Sequence, residues 1–188
     1  MKDLKIIIKK CLDSDRVGQH ELYDFTYKNL ITAVALYTKD QTQRDWVFNL
    51  GMLKVFSSLG NYQIGTNYLG WARTILVRSA IDHIRKNKSY NDQLAPVEID
   101  ERTVTVSELN DALNTLENES LIKLIQSIPE NERLIFTMYE IDGYTHTEIE
   151  KMTSINKNTS KWLLAKARKS LQKNAVKFFD LKLKKNGE

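Results

Sequence analysis

The chain has 188 residues, of which 41% are hydrophobic, enough to pack one ordinary domain or two small ones. No apolar run approaches the roughly 20 residues of a bilayer-spanning helix, and the start MKDLKIIIKKCL lacks the small-residue site at which a signal peptide is cut. Cys11 is the single cysteine, which excludes an internal disulfide and a thiolate metal cluster, so a cytoplasmic protein with a buried Cys11 is expected.

Taken in order, residues 3 to 12 read as a short helix with Leu4, Ile7, Ile8 and Cys11 or Leu12 inward. A longer helix is expected from about Asp15 to Lys39, carrying Leu22, Phe25, Leu30, Ala33, Val34 and Tyr37 at helical intervals. Thr42 is the candidate cap of a third, which presents Trp46, Val47, Leu50, Leu53 and Phe56 and reaches about Leu59. After a loop from Gly60 to Gly65, a fourth helix spans about Asn67 to Lys88, with Leu69, Ala72, Ile75, Leu76, Ala80, Ile81 and Ile84 apolar. Residues 89 to 106 sustain neither a 3.6 nor a 2.0 period, so a linker is placed there. Helices resume near Ser107, first through Leu109, Leu113 and Leu116 and then from Leu121 to Ser127.

The most informative stretch follows. Pro129 suits a first helical position, where its missing N–H costs nothing, and Gly143 suits a left-handed stop after Leu134, Ile135, Met138, Tyr139 and Ile141. Thr145 and Glu148 have capping-box spacing at the head of a short helix bearing Ile149 and Met152. Thr153 to Asn156 make the turn to a long last helix, whose inner face is Ser160, Leu164, Ala167 and Leu171. This is a helix-turn-helix pattern, with the last helix the candidate for the DNA major groove.

Charge is segregated along the chain. From Asp92 to Glu119 eight acids face only Arg102, whereas from Lys157 onward ten lysines and arginines face Asp180 and Glu188. The basic end suggests a footprint on a polyanion, and the acidic connector is a segment that the polyanion repels. The fold class expected is all-α: two helical domains, 1–88 and 107–188, joined by a flexible acidic linker over 89–106. His20, His83 and His146 form no close metal-binding pair, and no Gly-rich phosphate loop or nucleophile motif is present, so neither an enzyme nor a cofactor is expected.

The second half, LIQSIPENERLIFTMYEIDGYTHTEIEKMTSINKNTSKWLLAKARKSLQK, resembles region four of the extracytoplasmic-function group of sigma-70 factors, in the forms common in Bacteroidetes-type bacteria. LYDFTYKNLITAVALYTKD, MLKVFSSLGNYQ and WARTILVRSAIDHIRKNK resemble region two. The resemblance implies an initiation factor with promoter DNA and core RNA polymerase as partners, an anti-sigma factor as a further partner, no membrane insertion and a monomer when free. A stand-alone helix-turn-helix regulator that does not bind core polymerase is the alternative.

Each implied task selects residues. For the paired minus-thirty-five element, Lys157, Asn158, Thr159 and Lys161 are the candidates near base edges and Lys166, Arg168 and Lys169 those for phosphate, with Trp162 a further duplex-binding candidate. Relatives are usually polar at Trp162 and Leu163 and carry glycine at Ser154. For the melted minus-ten strand, Tyr62, Tyr68 and Trp71 are candidate stacking platforms, Tyr62 foremost because it stands in a loop without periodic neighbours. Arg73, Arg78, Arg85 and Lys86 are the accompanying cations, and Asp82 is expected to orient Arg78, Arg85 or Lys86. For polymerase docking the candidates are Asp45, Trp46, Asn49 and Lys54, in a segment that lacks two of the acids usual in relatives.

Overall fold

The computed structural model describes residues 3–87 and 118–185, and every regular element among the described residues is helical. The linker expected over 89–106 and the helix expected through Leu109, Leu113 and Leu116 lie outside the described residues. The chain divides into two compact units, Met1–Lys86 and Asn87–Glu188.

In the first unit Asp3 caps α1 (Leu4–Leu12) by accepting from Lys5 N at 3.0 Å, and Asp15 caps α2 (Arg16–Ala35) by accepting from Val17 N at 2.8 Å. The second helix thus ends before the expected Lys39. α3 (Gln41–Ser58) is capped by Asp40, which accepts from Gln43 N at 2.8 Å, and not by Thr42. Asp40 wins because its extended backbone aims the carboxylate at the free N–H groups of the first turn. A single 3-10 turn, Leu59–Asn61, leads into the loop before α4 (Tyr68–Asn87).

Ile8, Leu22, Val34, Val47, Phe48, Met52, Val55, Leu76 and Ala80 form the core of this unit. Each large apolar side chain buried there contributes about 1.5–3 kcal/mol. α3 and α4 approach closely enough that a Cβ on Gly51 would stand 2.6 Å from Leu76 Cδ2, so a side chain there would make Leu76 shift. Trp46 and Leu53, expected inward, are instead 51% and 66% exposed, because the α2 and α4 contacts use the neighbouring faces of α3.

The second unit packs α5 (Asn118–Gln126), α6 (Glu130–Phe136), α7 (His146–Thr153) and α8 (Lys157–Lys185) around Leu124, Ile125, Leu134, Ile135, Phe136, Met138, Ile149, Leu163, Leu164, Ala167 and Leu171. Pro129 stands one place earlier than expected, as the cap of α6. α6 does not run on as one α-helix. It widens into a π-turn over Thr137–Ile141 and stops at Gly143, whose φ of +75° is the left-handed conformation expected of it.

Candidate nucleic-acid interface

The turn between α7 and α8 is held at both ends by short polar side chains. Thr145 Oγ accepts from Glu148 N at 3.3 Å, and the Glu148 carboxylate accepts from Thr145 N at 2.8 Å, so the predicted capping box is present. The bond from Thr145 N, and then that from the Thr145 hydroxyl, which donates to Glu148 Oε2 at 2.7 Å, hold the Glu148 carboxyl below its ordinary range. α7 ends at Ser154, which occupies the left-handed region at φ 62°. Ile155 then buries its side chain, its N–H donating to Thr153 Oγ at 3.2 Å, and Asn156 Oδ1 accepts from Thr159 N at 2.8 Å to start α8. A buried hydrophobe flanked by two caps fixes the angle at which the last helix leaves.

His146 ties the two helices together. Its Nδ1 lies 2.9 Å from Oγ of the fully buried Ser160, and its ring stacks on Tyr139 with centroids 4.5 Å apart. Burial, and then the charges of Lys161 and Arg168, lower its pKa.

On α8 the inward stripe is Ser160, Leu163, Leu164, Ala167 and Leu171, all buried. Leu163 therefore belongs to the core and is not an apolar substitute at a DNA-facing position. Helical geometry puts Asn158, Trp162, Ala165 and Lys169 on the opposite side. Trp162 is half-buried there, and Thr159 is half-buried at the flank. Lys157, Lys161 and Lys169 are exposed and make no ion pair among the described residues.

Lys166 and Arg168 behave differently from the expected phosphate contacts. Lys166 Nζ lies 3.1 Å from Oε1 of Glu132 and 5.0 Å from the centroid of the Trp162 ring. Arg168 Nε donates to Glu140 Oε1 at 2.9 Å, and its Nη2 reaches the same oxygen. Neither carboxylate was read as functional from the sequence. Glu132 stands in the polar run Glu130 to Arg133 at the start of α6, so nothing local in the sequence marks it as a buried acid.

In the first unit the expectation for the tyrosines is corrected. Tyr62 is only 7% exposed, and its hydroxyl donates to Thr66 O at 2.6 Å, while Tyr68 is 2% exposed. The two rings meet edge to face at 5.7 Å and both lie against Trp71, at 5.0 and 5.9 Å. Tyr62 lacks periodic neighbours, yet the loop folds back so that its ring closes the end of the core. Trp71 is half-buried. Arg78, Arg85 and Lys86 are exposed along α4 and Arg73 is half-buried. Asp82 receives Arg85 Nη2 at 3.2 Å, as expected, and also Lys54 Nζ at 3.3 Å from α3.

The docking candidates lie along α3. Asp45 is held by Arg44 Nη2 at 2.8 Å and by the Tyr27 hydroxyl at 3.4 Å, and Asn49 Oδ1 accepts from the Tyr23 hydroxyl at 2.7 Å. Exposed Trp46, beside His83 at 4.7 Å, lines a shallow apolar groove with Leu50, Leu53 and Phe56. No group of metal-ligating side chains occurs among the described residues, and no helix among them is long and apolar enough to cross a membrane.

Residues 118–171 match the Sigma-70, region 4 family. No curated protein matches the chain. Among solved structures, the co-crystal structure of the sigma factor RpoE in complex with the anti-sigma factor NepR from Bartonella quintana is similar at 14% identity and a TM-score of 0.40, covering 82% of this chain and 94% of that chain. The matched residues build α5 to α7, the capped turn and the first half of α8, and this part of the chain is what is similar to region 4.

Proposed function

We propose that the chain is a transcription initiation factor of the extracytoplasmic-function kind, which directs core RNA polymerase to particular promoters. The observation that supports it most is the doubly capped turn before α8, which leaves Lys157, Asn158 and Lys161 exposed at the start of the helix that follows. Side chains at that end of a recognition helix reach base edges in the major groove and the phosphates that flank it.

In this reading residues 1–88 bind polymerase and the opened minus-ten strand, 89–106 are a tether, and 107–188 hold the paired minus-thirty-five element. Trp71, with Arg78, Arg85 and Lys86, is the surface for the single strand, where stacking and backbone charge act together. Trp46 and its groove, with Asp45, Asn49 and Lys54 around it, is the surface for polymerase. The chain works in the cytoplasm without catalysis of its own, is a monomer when free, and is held inactive by an anti-sigma factor.

A pull-down with core RNA polymerase tests this reading. Retention of the chain that is lost in Trp46→Ala supports an initiation factor. Failure of the wild-type chain to bind polymerase, with duplex DNA binding intact, makes it a separate regulator.

A further inference from the structure

We propose that Lys166 and Arg168 are positioning residues, which hold the recognition helix to the helix before it, and that contact with duplex phosphates falls to Lys157, Lys161 and Lys169. The inference rests on the reading of α8 as the DNA-binding helix.

The Glu132 side chain is 2% exposed. A carboxylate in that position needs its charge and its lone pairs satisfied. Ser170 Oγ donates to its Oε2 at 2.8 Å, and Lys166 Nζ lies 3.1 Å from its Oε1. Were Lys166 to leave for a phosphate, the buried carboxylate would lose its only cation among the described residues. The ammonium is further held over the Trp162 ring, so two separate attractions fix it.

Two turns further along the same stretch, Glu140 sits in the π-turn. Both Nε and Nη2 of Arg168 reach its Oε1, with the two side chains 22% and 24% exposed. Partial burial makes such a pair stronger than a surface one and less sensitive to salt. The π-turn is what turns Glu140 toward α8 at this level. Glu132 and Glu140 thus fasten the recognition helix at two levels. Lys157, Lys161 and Lys169 lack such partners among the described residues and are exposed on the far side or flank of the buried stripe.

Two measurements on the full-length chain test this. In a thermal-unfolding cycle, Glu140→Gln and Arg168→Gln should each lower the melting temperature, and the double variant should fall no further than the worse single. Additive losses would overturn the proposal. The second measurement is the salt dependence of binding to a duplex that the wild-type chain enriches from a random-sequence pool. Lys161→Ala should lower the slope of log Kobs against log salt by about 0.9, the share of one phosphate.

Arg168→Gln should keep the wild-type slope while losing discrimination against a scrambled duplex. The charge-exchanged pair, Glu140→Arg with Arg168→Glu, should recover part of that discrimination. A slope that falls as much in Arg168→Gln as in Lys161→Ala, or binding that tightens when Glu140→Gln frees the arginine, would contradict the proposal. A wild-type chain that enriches no duplex would contradict the functional reading, and the unfolding cycle would then decide the positioning claim by itself.

Discussion

The hydroxyls of Thr26 and Tyr68 meet 2.7 Å apart inside the first unit, joining α2 to the first residue of α4. Thr26 Oγ already donates its one proton to Leu22 O at 2.7 Å, so Tyr68 is the donor between them. Tyr68→Phe should therefore lower stability by about 1 kcal/mol, read as a fall in urea midpoint. Burial pushes the Tyr68 phenol up to about 12. The unfolded phenol ionises near pH ~10, so this group adds no pH dependence below that value. Between there and about 12 only the unfolded chain releases the proton, and stability falls as pH rises; Tyr68→Phe should flatten that part of the profile.

Ser154 closes α7 at φ 62°, where a side chain is crowded by its own backbone. Ser154→Gly should stabilise the second unit by about 1 kcal/mol. The expected readout is a higher melting temperature with helix content unchanged by circular dichroism. A lower one would mean that the serine makes a compensating contact.

Local signals in the sequence were sufficient for much of this fold. Helical spacing gave α1 to α4 and the last three helices, and Thr145, Glu148 and Gly143 announced their ends because capping depends only on near neighbours. What local pattern could not reach was competition between neighbours and contact at a distance. Asp40 and Thr42 are both competent caps, and backbone geometry alone decides for Asp40. Tyr62 reads as a loop residue, but its surroundings come from Tyr68 and Trp71. The partners of Lys166 and Arg168 lie 34 and 28 positions away in the chain, so both looked free. Exposure of Lys157, Asn158 and Lys161 was legible because a short turn and a fixed inner stripe leave few alternatives.

The contact between His146 and Ser160 makes the turn sensitive to acid. Burial, followed by Lys161 and Arg168, lowers the His146 pKa, so the folded chain resists a proton that the unfolded chain accepts. Its contribution is present in full above the unfolded pKa of about 6.5 and is lost as pH falls through the lower folded value. The melting temperature of the second unit should decline below that point, and His146→Asn, which keeps a polar partner for Ser160, should decline less. Equal profiles would place the acid sensitivity elsewhere.

Of the three aromatic residues near the α3 to α4 loop, Trp71 alone has more than a sliver of surface, Tyr62 and Tyr68 being 7% and 2% exposed. Trp71→Ala should weaken binding of a single-stranded oligonucleotide by about 1–3 kcal/mol, the usual worth of one stacked base. Tyr62→Phe removes only the hydroxyl bond to Thr66 O and should leave that affinity unchanged. A comparable loss from Tyr62→Phe, measured by anisotropy of a labelled strand, would show that the loop held by the Tyr62 hydroxyl, and not the Trp71 ring, sets the affinity.

The most direct test of the whole account is transcription in vitro from a pool of genomic fragments, using core RNA polymerase with and without the chain. The account predicts transcripts that begin at a few discrete sites only when the chain is added, and that diminish with Lys161→Ala. Transcripts that are the same in its absence, or initiation spread over the pool without preferred sites, would contradict it.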